Sequence, residues 1–196
     1  MRTDSPSRQD KTAQRRRRIV EAALSCFVTH GFHRASLRDI AGCAGVSLGN
    51  VYNHFASKEA LIAEIATLEA EELAPLLDGL RQRDDGAALL DFARDYLALC
   101  RQPVNVALSA EVIAEAARKP ELAALFAANR QLLVQGLVEA LRRAVLRGEV
   151  DASLPPEATA QLLLDAVEGM ALRGALFAGT QDDAADLFRL LEKLLR

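Results

Sequence analysis

The chain has 196 residues, 51% of them hydrophobic, and a net charge of −3 from 24 Lys/Arg and 27 Asp/Glu. That length can bury a core without disulfides or a structural metal. Ala and Leu dominate the second half, where Val, Ile, Thr and aromatics are too sparse for a sheet, so the composition predicts an all-α fold. The three cysteines (Cys26, Cys43, Cys100) are odd in number and form no C-x-x-C pair, which argues against a disulfide framework and for thiols in a reducing compartment.

In chain order, residues 1–11 read as a disordered basic arm, with no apolar residue between Met1 and Asp10. A first helix is expected from Thr12, with Ile19, Ala23, Cys26, Phe27 and His30 at helical spacing and Gly31 as its stop. Ser36-Leu-Arg-Asp39 reads as a capping box opening a short helix to Ala44. Gly45 punctuates it, Ser47 caps a second short helix to His54, and Ser57 caps a longer one with Glu59 in its first turn. Breaks at 84–86, 102–103, 119–120, 148–156 and 179–180 then leave helices near 58–82, 87–101, 104–117, 120–147, 156–178 and 182–195. Pro75 is expected to kink or interrupt the first of these. The count is about nine helices, divided into an N-terminal three-helix head over 12–57 and a helical body over 58–196. No apolar run reaches 18 residues and residues 1–18 are too polar for a secretory signal, so a cytoplasmic protein without membrane contact is expected.

The charge is unevenly distributed. Residues 1–60 carry ten Lys/Arg against five Asp/Glu, and the remainder fourteen against twenty-two. A basic head on an acidic body is the pattern of a nucleic-acid reader. The stretch from Leu37 to Phe55 supports it. Two helices crossing at a tight turn need a small residue at the crossing, a residue tolerant of positive φ in the turn, and apolar inner faces. Ala41, Gly45, and Ile40, Ala44, Val46 and Val51 meet those needs at the right spacing.

Residues 15–63 resemble the DNA-binding region of the Tet-repressor (TetR) family, most closely from Val46 to Leu61 (Val-Ser-Leu-Gly-Asn-Val-Tyr-Asn-His-Phe-Ala-Ser-Lys-Glu-Ala-Leu). The resemblance implies that 47–54 is a recognition helix in the major groove, and that Ser36, Ser47, Gly49, Asn50, Tyr52, His54 and Lys58 touch DNA. Those residue types suit the task. Ser47 and the free N–H groups behind it can take a phosphate, Gly49 permits close approach, and Asn50 can read adenine. Tyr52, His54 and Lys58 suit backbone clamps. Leu48 and Asn53 depart from the family's habit, and Leu48 either meets a thymine methyl or packs. Arg18 closes the run Arg15–Arg18, which beside such a motif reads as phosphate steering. His30, His33 and His54 form no tetrahedral set with Cys or carboxylates, so neither metal nor other cofactor is expected.

The resemblance further implies a pocket within helices 58–147 for a small-molecule effector. Candidate lining residues are Phe92, Tyr96, Cys100, Phe126, Asn129 and Leu133, which mix aromatic and polar groups as pockets do. Their alternative role is ordinary core. The segment Glu111–Leu122 is similar to a phrase in several TetR regulatory domains, including choline-responsive betaine-gene repressors, and specifies no ligand. Helix 156–178 is apolar almost all round and helix 182–195 has a strong apolar stripe, so both should pack on the body and on a second subunit. Leu163, Val167, Met170, Gly174, Leu187, Leu191 and Leu194 are the interface candidates. The expected function is a homodimeric regulator, a repressor by family habit, released from a palindromic double-stranded operator by its ligand. Two alternatives are control of the same DNA binder by cysteine oxidation, and a small-molecule-binding helical protein with an inert head. Paired catalytic carboxylates, an activated nucleophile and a Gly-rich phosphate loop are all missing from the sequence, so enzymatic chemistry is not expected.

Overall fold

The computed structural model describes residues 8–83, 85–116, 118–176 and 183–194. The arm before Arg8 and the side chain of Leu194 lie outside what is described. Among the described residues the protein is all-α, with nine helices: α1 (Arg8–Arg34), α2 (Leu37–Ala44), α3 (Leu48–His54), α4 (Lys58–Gln82), α5 (Ala87–Cys100), α6 (Pro103–Ala116), α7 (Pro120–Leu146), α8 (Pro156–Leu176) and α9 (Asp183–Leu194).

The helix starts follow the capping chemistry. Ser36 Oγ accepts from the Asp39 N–H while the Asp39 carboxylate accepts from the Ser36 N–H, a complete capping box. Ser47 and Ser57 accept from the N–H groups of Asn50 and Ala60. Helix α1 begins four residues before the expected Thr12. Its regular part stops at Gly31, which takes φ 82° and ψ 154° before the chain resumes a short turn to Arg34. Pro75 does not interrupt α4. Its ring is exposed, so the carbonyl of Glu71 that it deprives of a donor can be hydrated instead.

Two cores result. One is built from Ile19, Ala23, Phe27, Ile40, Val51 and Phe55 of the first three helices. It continues into Leu61, Ile62 and Ile65 of α4 and Leu108, Leu122 and Phe126 of α6 and α7. The head therefore shares its hydrophobic interior with the first turns of α4, and no clean seam falls at residue 57. The second core joins α4, α5, α7, α8 and α9 around Leu133, Leu137, Leu164 and Val167. No described helix is long and apolar enough to cross a membrane.

Candidate nucleic-acid interface

The turn between α2 and α3 depends on Gly45, whose φ of 64° lets its N–H and that of Val46 satisfy carbonyls at the end of α2. Arg18 reinforces the turn by donating to the carbonyl of Ala44 at 3.0 Å. This geometry sets α3 with Val51 fully buried and Ser47, Gly49, Tyr52 and Asn53 exposed. Tyr52 is 54% exposed, with its ring open to solvent on the same side as Asn53. Leu48 is half-buried against the head core, so much of its side chain packs. Asn50 is also half-buried, and its Oδ1 is covered with no hydrogen-bond partner. A side-chain rotation is needed to bring that acceptor to a base edge.

Several sequence candidates are already engaged by groups of the chain itself. Lys58 does not stand out as a phosphate clamp: its ammonium donates to the carbonyls of Phe32, His33 and Ala35, closing the end of α1. Burial, with repulsion from Lys119, lowers its pKa. Ser36 spends its hydroxyl on Asp39. His54 is half-buried and its carbonyl accepts from Arg16. The run Arg15–Arg18 is likewise divided. Arg16 makes a two-pronged pair with Glu64 and lies 4.4 Å from the Phe55 ring centroid, tying α1 to the end of α3 and to α4. Arg17 pairs with Glu21 at the surface.

The head meets the body at Gly31. The Phe32 N–H donates to Glu111 of α6 at 3.0 Å, and a Cβ on Gly31 would lie 3.0 Å from the same carboxylate oxygen. Glu59 at the start of α4 pairs with Lys119 ahead of α7 at 3.2 Å. The similarity of Glu111–Leu122 to other regulatory domains gave no sign of this contact, because an acid on a helix is ordinarily solvated.

Behind Glu111, α6 turns another face to a cavity of about 360 Å³. Tyr96, Cys100, Phe126, Asn129 and Leu133 lie on its wall. Phe92 does not; it stacks on Tyr96 at 5.6 Å from within the body core. Sequence reading missed the charged part of the lining: Glu69, Glu72, Glu168 and Arg130. The Tyr96 hydroxyl donates to Glu168 at 2.9 Å, and Arg130 pairs with Glu168 and Asp165. Asn129 is buried and donates to Glu69 at 2.6 Å and to the Ala66 carbonyl. Burial pushes the Glu69 carboxyl above its usual range despite that hydrogen bond. Burial also raises the Tyr96 hydroxyl, and takes the Cys100 thiol up to about 12. Glu168 is one of the few polar residues on α8, and only its partner Tyr96 on α5 reveals its inward direction.

The interface candidates divide in the same way. Leu163, Val167 and Leu191 are buried in the chain's own core, and Met170 and Leu187 are half-buried against it. The first three have almost no surface left for a partner. Gly174 is exposed, and so are Leu162 at 67% and Leu190 at 60%.

A short capped helix standing outward on a left-handed glycine turn, within a three-helix head joined to a cavity-bearing helical body, defines a helix-turn-helix transcriptional regulator. Residues 19–65 match the family described as bacterial regulatory proteins, tetR family. Residues 87–190 match the AefR-like transcriptional repressor C-terminal domain. The chain is 32% identical to the HTH-type transcriptional regulator UidR of Escherichia coli K12, over 83% of this chain and 82% of that one. The repressor AcnR of Corynebacterium diphtheriae is 25% identical over 94% of this chain and 93% of its own. Among solved structures, Salmonella enterica GusR superposes with a TM-score of 0.75 and 31% identity, covering 93% of this chain and 95% of its own. FadR of Bacillus subtilis, solved with stearoyl-CoA, shares the fold with a TM-score of 0.77 at 17% identity, covering 91% of this chain and 97% of its own. The chain belongs to the TetR family of transcriptional regulators; it is a DNA-binding protein and not an enzyme.

Proposed function

We propose that the protein is a homodimeric cytoplasmic repressor that leaves a palindromic operator when a small molecule fills the cavity behind α6. The observation that carries the DNA part is the outward face of α3, where Ser47, Gly49, Tyr52 and Asn53 lie exposed together. Ser47 and Tyr52 position the helix on phosphates, while Asn53 and a rotated Asn50 read bases. Two such helices on a two-fold axis match half-sites one helical turn apart. The surface for that axis is the outer side of α8 and α9. Along α8, Leu162, Ala166, Gly169 and Arg173 fall on one stripe, none of them buried, and Leu190 adds an exposed leucine on α9. Small residues at Ala166 and Gly169 let a second helix come close.

Effector control rests on the cavity's size and on its placement across α6 from Glu111. A 360 Å³ space falls in the range of small-ligand pockets. Three carboxylates against one guanidinium favour a ligand that is neutral or cationic at its polar end. The joint test is a footprint of the full-length protein on DNA flanking its own gene, repeated with candidate effectors. Protection of a palindrome, lost when an effector is added, supports the reading. An unprotected flank together with no retardation of any fragment at low salt rejects it in favour of an inert head.

A further inference from the structure

We infer that Cys26 and Cys43 form a dithiol that a hydroperoxide closes to an intrachain disulfide, tying α1 to α2 and weakening operator binding. The two residues are 17 positions apart, separated by the break at Gly31, and no sequence spacing marks them as a pair. Folding brings their sulfurs to 3.3 Å. A disulfide is about 2.05 Å long, so closure asks for a relative movement of just over about 1 Å.

Their surroundings divide the chemistry. Cys43 is exposed on α2 and can meet an oxidant from solvent; Cys26 is buried on α1, directly behind it. Burial and the contact with Cys43 raise the Cys26 thiol to about 12, so it stays protonated and does not react first. In the first step the Cys43 sulfur takes the terminal oxygen of the hydroperoxide, giving a sulfenic acid and an alcohol, or water when the oxidant is hydrogen peroxide. In the second, the Cys26 sulfur attacks that sulfenic sulfur. The S–S bond forms as the S–O bond breaks, and the oxygen leaves as water with the Cys26 proton. Two electrons pass from the thiols to the peroxide, and the balance is two thiols and one hydroperoxide to one disulfide, one alcohol and one water. Cys100 lies apart on the cavity wall and serves as an internal control.

The tie would act at a sensitive place. Cys43 stands in the last turn of α2, next to the Ala44 carbonyl that Arg18 holds and two residues before Gly45, which aims α3. Drawing that turn toward α1 moves the reading helix relative to the rest of the head. The inference rests on the DNA-binding reading only for its final readout, and thiol mapping stands independently of any operator.

The test treats the full-length reduced protein with hydrogen peroxide, then counts thiols and maps peptides without reduction. The expected result is loss of two of the three thiols, a Cys26–Cys43 linked peptide, and recovery with dithiothreitol. Cys43→Ser should abolish the reaction, and Cys26→Ala should leave a sulfenic acid on Cys43 that dimedone traps. Operator affinity should fall several-fold on oxidation in the parent and stay constant in Cys43→Ser. Three retained thiols, oxidation mapped to Cys100, a bond between subunits, or an operator affinity that full oxidation leaves unmoved would each overturn the proposal.

Discussion

Tyr52, Asn50 and Lys58 follow one another closely in the sequence and do different jobs. Tyr52 is exposed and contributes little to the core, so Tyr52→Ala should weaken binding to all DNA sequences alike while leaving the unfolding free energy, measured by urea titration, within about 0.5 kcal/mol of the parent. Asn50→Ala should relax preference at a single base pair, costing about 1–3 kcal/mol there in a mutated-operator titration. It should not destabilise the fold, because it removes a covered acceptor that no group satisfies. Lys58→Met should instead cost about 1.5–3 kcal/mol of stability in a urea titration, since its charged hydrogen bonds close the end of α1. The residue types around α3 were plain from the sequence. Their direction was not, because a lysine after a recognition helix looks the same whether it faces a phosphate or three carbonyls.

At the level of elements, most of the fold could be read in advance because its boundaries are local chemistry. Serine caps and the Gly31 and Gly45 stops act within a few residues, so they need no knowledge of the tertiary structure. Pro75 shows where that logic fails, since the cost of a helical proline depends on what faces it. The cavity lining was only half legible: aromatic and amide residues stood out, whereas Glu69 and Glu168 needed partners on α5 and α7 to be seen as inward. Glu69 carries a pH signature. Its folded pKa is raised, so its contribution is fully present below the unfolded carboxyl pKa and is lost as pH rises through the folded one. Glu69→Gln should therefore gain stability over the parent at neutral pH and lose that part of the pH dependence, as measured by thermal unfolding across the acid range.

For the whole molecule, the division of charge predicts steep salt dependence of operator binding, but shallower than the arginine count suggests. Arg16 is neutralised by Glu64 within the head and Arg17 pairs with Glu21, so fewer cations remain to displace counterions, and a plot of log affinity against log salt should show it. Assembly is tested at Leu162 and Leu190 rather than at the buried leucines. Leu162→Glu with Leu190→Glu should give folded monomers by analytical ultracentrifugation, with operator binding much reduced. Leu191→Glu would instead place a charge in the chain's own core and report on folding. The apolar stripes of α8 and α9 were visible in the sequence, but a stripe does not say which leucine belongs to the subunit's interior and which to its outside.

The contact between Glu111 and the Gly31–Phe32 turn bears on how such a protein can change its chemistry over generations. Asn105, Val106, Ser109, Val112 and Ile113 of α6 border the cavity, while Glu111 on the same helix grips α1. On the proposed effector reading, lining the cavity and holding the head are separate tasks at Asn105, Val106, Ser109 and Ile113, and shared at Val112, which also packs against the head core. If that reading holds, replacement of Asn105, Val106, Ser109 and Ile113 can redraw what the cavity accepts while the Glu111 link to the reading head is inherited unchanged.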